Sequence, residues 1–216
     1  MRTTRALAAR GFWASLGLVA LFGVGGSTSA VEVFTKIGND GSALPSDTAG
    51  GAGPRDWACL RDERTGLLWE VKTADKGLRD RRWTYTPYDS NPATNGGYPG
   101  YKDTTSGDCT RGIMAGGSCN TEAYIQAVGA SGLCGYDDWR LPTVRELVAV
   151  SPQTTEAPVG RTALLLPNTE SGWYWTGAER VGVTNFSRVI LLPPAGRPTF
   201  YDGSYLVLAV RGDQKQ

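Results

Sequence analysis

Histidine is absent from the 216 residues of this chain. Its absence removes Ser-His-Asp and Cys-His catalysis and every His-ligated metal centre. An enzyme made from this sequence would have to work with carboxylates, Lys, Tyr or Ser. The four cysteines, Cys59, Cys109, Cys119 and Cys134, include no C-x-x-C pair, so the usual thiolate spacing of a zinc site is missing too. Beyond the first thirty residues there is no apolar run approaching the roughly 20 residues that span a bilayer, so no membrane span is expected in the mature chain. An excess of one charge is also lacking, with 22 Lys and Arg against 21 Asp and Glu. Nucleic acids and other polyanions are bound by concentrated basic surfaces, so nucleic acid is not an expected partner. There is no Gly-x-y run and no repeat of fixed period.

What is present begins with an export signal. Arg2, Arg5 and Arg10 form a positive start, residues 12–24 are mostly apolar, and Ser27-Thr28-Ser29-Ala30 supplies small residues for cleavage after Ala30. The expected destination is the periplasm, the outer surface or the medium. Removing residues 1–30 takes away three arginines and no acid, which turns the formal charge from +1 to about −2. An even cysteine count in an exported chain reads as two disulfides. Three pairings are open. A Cys109–Cys119 bridge would close a short loop and leave Cys59–Cys134 as a long-range staple; in the chain-entropy model these contribute about 2–3 and about 4 kcal/mol.

Along the chain, residues 31–37 predict a strand and residues 38–54 a Gly-rich flexible arm or long loop. Trp57 opens the expected compact domain. Two strands, 57–62 and 67–72, flank Glu63-Arg64-Thr65-Gly66, where Gly66 suits a tight hairpin. Residues 73–119 lose all periodicity, and hold Pro87, Pro92 and Pro99 among Gly, Asn and Tyr. Such a stretch reads as a functional or stapled loop. Residues 120–131 predict a helix capped by Asn120 or Thr121, apolar at Tyr124, Ala127 and Val128, and stopped by Gly132. A second, short helix follows Pro142, with Thr143 and Glu146 as a T-x-x-E capping box and Leu147, Val148 and Val150 as its apolar side. Strands are expected over 172–177, 186–192 and 205–211. The order strands, loop, helices, strands predicts an α+β single domain with a mainly antiparallel sheet and two short helices, stapled by disulfides. The expected partition is a signal over 1–30, a strand and arm over 31–56, the domain over 57–212, and a tail over 213–216.

Four segments carry a resemblance. They are Cys59-x-x-Asp62-x-x-Thr65-Gly66-Leu67-Leu68-Trp69-Glu70, then Gly135-Tyr136-Asp137-Asp138-Trp139-Arg140-Leu141-Pro142-Thr143 with Glu146-Leu147, then Tyr174-Trp175-Thr176, and a closing Val210-Arg211. Together they resemble the C-terminal domain family of the Legionella collagen-like adhesin, long catalogued as a bacterial domain of unknown function. The resemblance covers roughly 57–212. It implies an envelope or extracellular bacterial protein with a fold related to C-type-lectin-like or formylglycine-generating-enzyme-like domains. The adhesin that names the family is described as a trimer binding sulfated host glycans. This chain departs from it in lacking the collagen-like stalk and in its slightly negative mature charge.

The Asp137-Asp138-Trp139-Arg140 block admits three readings. It is a structural turn in which Arg140 bridges Asp138 or a backbone carbonyl, Trp139 fills the core and Glu146 satisfies the helix N-terminus. Alternatively it is a Ca²⁺ site with oxygen ligands, or a carboxylate pair for hydrolysis with Glu146 or Glu70. The structural reading is preferred, so no cofactor and no metal ligands are assigned. It also takes Asp62, Gly66, Trp69, Pro142, Thr143, Trp175 and Arg211 as structural. A calcium-dependent lectin site would want Glu-Pro-Asn or Gln-Pro-Asp, and neither occurs. Trp173 and Trp175 share one strand face, and Tyr174 takes the other. The long loop offers the better binding surface. Arg82, Trp83, Tyr85, Tyr88, Tyr98 and Tyr101 lie there among polar and Gly residues, with Arg79 and Arg81 upstream. The leading expectation is a non-enzymatic binding module for a glycan or an envelope protein, oligomeric or not. The alternatives are a carboxylate-dependent hydrolase of envelope polysaccharides and a structural envelope component.

Overall fold

The computed structural model describes residues 34–50, 53, 55–95, 97–102, 109, 118–150, 166–177, 188–192, 199–200 and 203–212. All fall within the unit Glu32–Gln216. The signal segment, residues 31–33 of the first strand, residues 186–187 and the tail lie outside the described residues.

Strand β1 is Phe34–Gly38, β2 Trp57–Asp62, β3 Leu68–Glu70, β4 Gly172–Thr176, β5 Arg188–Leu192, β6 Thr199–Phe200 and β7 Val210–Arg211; helix α1 is Thr121–Ala130 and α2 Val144–Val150. Two antiparallel sheets result, one in the order β1-β2-β3-β7 and one in the order β4-β5-β6. This is the α+β class expected from the sequence. The β2–β3 hairpin turns on Asp62, whose Oδ1 accepts from the backbone N–H of Arg64 at 2.9 Å and of Thr65 at 3.3 Å. Gly66 closes it at φ 78°, a conformation that a Cβ disfavours.

Alternation along β3 and its extension divides the core in two. Leu68 faces Tyr124 and Val128 of α1 together with Trp83, Tyr85, Trp139 and Trp175. Trp69 and Val71 face Leu147 and Val150 of α2 together with Leu60 and Tyr174. Strand β4 shows the expected split, with Trp175 in the first cluster, Trp173 packed against it, and Tyr174 in the second. The same period sends Glu70 and Lys72 toward α1. Glu70 is fully buried and Lys72 is 5% exposed. Lys72 Nζ lies 3.1 Å from Glu70 Oε1 and donates to the Tyr124 hydroxyl at 2.6 Å. That hydroxyl donates in turn to Glu70 Oε1, and the backbone N–H of Ala209 donates to Glu70 Oε2 at 2.9 Å. Burial holds the Lys72 amine below the ordinary lysine value, while Glu70 opposes that shift. Burial and then the Glu70 charge push the Tyr124 hydroxyl well up, so it stays a donor.

The disulfides are Cys59–Cys134 and Cys109–Cys119. The capping expectations hold at residue level. Asn120 Oδ1 accepts from the Ala123 N–H at 2.8 Å, and Gly132 follows α1 at φ 64°. Thr143 and Glu146 exchange hydrogen bonds reciprocally, at 2.8 and 3.2 Å.

Of three segment expectations, two gain detail and one needs correction. Residues 38–50 are no free arm: Leu44 N–H donates to Lys36 O, Trp57 N–H to Ala49 O, and Lys36 Nζ to Thr48 O while stacking over the Trp57 ring. The backbone polar groups of a Gly-rich stretch are thereby satisfied against β1 and β2. The stretch from 73 is the expected loop, with no α-helix or β-strand among its described residues before α1 and with Cys109–Cys119 as its staple, and the bridges Thr73↔Asp80, Tyr85↔Tyr205, Thr86↔Asn120 and Tyr88↔Gly100 pair its backbone. Finally, 205–211 is not one strand. Tyr205 and Leu206 pair with Tyr85 and Tyr174, whereas Val210 and Arg211 pair with β3, so the segment changes partners midway.

Replacing Lys72 by Met leaves the Glu70 carboxylate buried without its cation. Urea denaturation of Lys72→Met should show a loss of about 3–5 kcal/mol, and the double variant Glu70→Gln/Lys72→Met, whose amide still accepts from the Ala209 N–H and reaches the Tyr124 hydroxyl, should recover part of it. Equal stability of Lys72→Met and wild type would mean that the pair does not anchor this core.

Candidate functional site

The candidate surface residues divide by depth. Trp83 (8% exposed) and Tyr85 (1%) are core residues rather than ligand contacts, which corrects the expectation for both. The reason is chain direction. Tyr85 pairs with Tyr205 across the C-terminal segment, which carries its ring inward against Tyr124 at 4.7 Å between centroids. Its buried hydroxyl has no hydrogen-bond partner among the described residues. Trp83 Nε1 donates to Gly77 O at 2.8 Å. The arginines upstream have partners within the fold, and Arg82 keeps half of its side chain exposed. Arg79 Nη1 donates to the Ala58 and Val71 carbonyls, Arg81 pairs with Glu170 at 2.8 Å, and Arg82 makes two 2.9 Å bonds to Asp80. The Arg82 guanidinium, together with the N–H groups of Arg82 and Lys76, holds the Asp80 carboxyl far below the usual carboxylate range.

Tyr88, Tyr98 and Tyr101 stay near the surface. Tyr88 is half-buried, and Tyr98 (46%) and Tyr101 (39%) are the exposed large hydrophobic residues among those described. Their rings meet edge to face at 6.4 Å between centroids and an interplanar angle of 89°. Short-range bonds shape the loop that carries them. Asp89 N–H donates to Pro99 O, Tyr101 N–H to Pro87 O, and Thr94 Oγ1 to Asp89 Oδ2 at 2.6 Å. Gly100, at φ 84°, is required here because a Cβ would come within 2.2 Å of Pro87 O.

The first turn of α1 holds this loop at three points. Asn120 Nδ2 donates to Lys102 O at 2.8 Å. Thr121 Oγ1 donates to Tyr88 O at 2.9 Å and accepts from Tyr88 N–H at 3.0 Å. The Glu122 carboxylate accepts from both the N–H and the hydroxyl of Ser90. Sequence reasoning read Asn120 and Thr121 as caps and missed the clamp. The only available signal was three consecutive polar residues directly after Cys119.

The Gly135–Thr143 block fastens the C-terminus. Arg140 makes bidentate bonds of 2.8 and 2.7 Å to Glu146 and a third, of 2.7 Å, to Gly212 O. Asp138 pairs with Arg211 at 2.6 and 2.9 Å, not with Arg140, and Arg211 stacks over the Tyr136 ring at 3.7 Å. Of the two partners expected for Arg140, the backbone carbonyl is the one it takes, at Gly212 and Leu141, while Asp138 goes to Arg211. The register of Arg140 opposite Val210 places Arg211 beside Asp138. Trp139 is buried, with Nε1 donating to Tyr136 O at 3.2 Å. Pro142 is buried, and its carbonyl accepts from Gly177 N–H at 2.8 Å. The oxygens of Asp138 and Glu146 are thus engaged by arginine. Among the described residues no three His, Cys, Asp or Glu side chains converge as a metal would need.

Arg211 lowers the Asp138 pKa. Burial raises that of Glu146, but the bonds from Arg140 and Thr143 outweigh it and the net shift is downward. Carboxylates with depressed folded pKa values stabilise the fold above the ordinary carboxylate range, and that contribution is lost as pH falls through the folded values. Thermal melts of Glu146→Gln should therefore show a clear deficit against wild type at pH 7 that narrows as the pH drops below about 4. A deficit independent of pH would show that the charge of Glu146 is not what Arg140 and the Thr143 N–H recognise.

No curated protein and no solved structure matches the chain. The family model described as the Lcl C-terminal domain matches residues 58–211, a span that runs from β2 to β7 and includes both helices, the hairpin, the long loop and the Arg140 and Arg211 latches. The chain belongs to the Lcl C-terminal domain family.

Proposed function

We propose that the mature chain is an exported, non-enzymatic binding module that recognises a glycan or a protein partner at the bacterial envelope through the Tyr88–Tyr98–Tyr101 face of its long loop. The observation that carries this reading is the exposed Tyr98–Tyr101 pair. The domain buries Trp57, Trp69, Trp83, Trp139 and Trp175, yet leaves these two rings at the surface of a hydrogen-bonded loop. Tyrosines held this way present an apolar face and a polar edge with little side-chain entropy to lose on binding. Two rings at right angles form a corner in which one face of a pyranose or a peptide side chain can stack while its edge meets the second ring. Two buried disulfides and the export signal support a destination outside the cytoplasm.

The test is a glycan array probed with residues 31–216 and with a Tyr98→Ala/Tyr101→Ala variant. Exposed rings outside the core leave stability within about 0.5 kcal/mol of wild type. Binding to the recognised glycan should fall by at least about tenfold, which corresponds to about 1.4 kcal/mol. Undiminished binding by the variant would remove this face as the site.

A further inference from the structure

We infer that Glu122 is a positioning residue for the Tyr98–Tyr101 surface, an inference that rests on the binding reading above. Of the three clamp residues, Asn120 and Thr121 are buried and also serve the helix, Asn120 as its cap and Thr121 through its N–H bond to Thr86 O. Glu122 belongs to neither core cluster, and its contacts with Ser90 lie at the exposed surface. An acidic side chain in the first helical turn is ordinarily explained by the helix dipole. Glu122 does more than that. Both of its oxygens reach across to one residue 32 positions earlier, Oε2 accepting from Ser90 N–H and Oε1 from Ser90 Oγ at 2.9 Å. Gln126 Nε2, one turn along α1, donates to Oε1 at 3.1 Å and fixes the carboxylate from the helix side. Bonds to an ionised acceptor are the stronger kind of hydrogen bond.

Ser90 starts the excursion that runs through Asn91, Thr94 and Asn95 to Tyr98 and returns at Gly100. Without Glu122 the loop keeps its anchors at Tyr88 and Lys102 but loses the one nearest its tip. The expected consequence is a looser Tyr98 relative to Tyr101 in a domain that is otherwise intact.

Hydrogen–deuterium exchange on the mature chain separates this role from a helix-stabilising one. In Glu122→Gln, amides of residues 88–101 should exchange at least about fivefold faster while those of α1 and β2 keep wild-type protection. Ser90→Ala, which loses the hydroxyl but keeps the N–H, should give a smaller change, and the double variant no more than Glu122→Gln alone. Unchanged loop exchange in Glu122→Gln, or acceleration shared equally by α1, would overturn the inference. A binding arm uses a β-1,4-linked N-acetylglucosamine tetramer as probe. Glu122→Gln should weaken its binding by about three- to tenfold, and Tyr98→Ala/Tyr101→Ala should abolish it. A loosened loop with wild-type affinity would also overturn the positioning role. Failure of the wild-type chain to bind the tetramer counts against a glycan of this type, and the exchange data then decide the role of Glu122 alone.

Discussion

The ion pair of Glu70 and Lys72, bridged by the Tyr124 hydroxyl, lies where β3, α1 and the C-terminal segment converge. Three parts of the chain meet there, the strand through Glu70 and Lys72, α1 through Tyr124 and the C-terminal segment through Ala209, and each group depends on the others for satisfaction. Removing two charges from water is expensive, and their attraction in the interior offsets that only when geometry and additional hydrogen bonds are good. Here the Ala209 N–H and the tyrosine hydroxyl supply those bonds. The result is a constraint more specific than apolar packing. Leu68 could slide against Val128, but Glu70 reaches Tyr124 in only one register of helix on sheet. The disulfide Cys59–Cys134 fixes the neighbouring strand to the turn after α1, so the helix is held to the sheet by a covalent bond and by a charged one.

A second fastening acts at the other end of the sheet. Arg140 clasps Glu146 and the Gly212 carbonyl, and Arg211 clasps Asp138, so the edge strand β7 is held by β3 on one side and by the Gly135–Thr143 block on the other. Two bidentate arginine–carboxylate pairs give geometric definition that lysine would not. The most distinctive motif of the sequence is accounted for by this closure. Its residue types need no ligand to explain them, because the carboxylates already have partners. The same accounting weakens a hydrolase reading, since Glu70, Asp138 and Glu146, three of the carboxylates considered for acid–base work, are committed to cations within the fold.

What could be read from the sequence follows the range of each interaction. The caps at Asn120 and Thr143, the hairpin at Gly66 and the alternation of Trp173, Tyr174 and Trp175 are local, and local rules locate them. The disulfides were legible because an even count of four leaves few pairings. The depth of Trp83 and Tyr85 was not legible, because it depends on Tyr205 pairing with Tyr85 from far along the chain. For the same reason the pairing of Asp138 with Arg211 was not legible, and Asp138 stood only as one of two partners for its near neighbour Arg140. The buried Glu70–Lys72 pair is visible in hindsight as two charges at i and i+2, which share one face of a strand. A strand with a charged inner face reads as a solvated edge until the helix that covers it is placed.

The division between core and loop underlies the proposed binding reading. Among the described residues, the inner faces of β3 and β4 and the buried sides of both helices are occupied by packing and by paired charges. The loop from Tyr88 to Gly100 differs in kind. Its order comes from backbone bonds, from Asp89, and from the first turn of α1, all of which leave the tyrosine rings outward. The first turn of α1 thus anchors this loop, and Gly100 permits its return past Pro87. On the proposed binding reading, specificity would belong to the loop side chains and precision to α1, which the Glu70–Lys72–Tyr124 network holds in place.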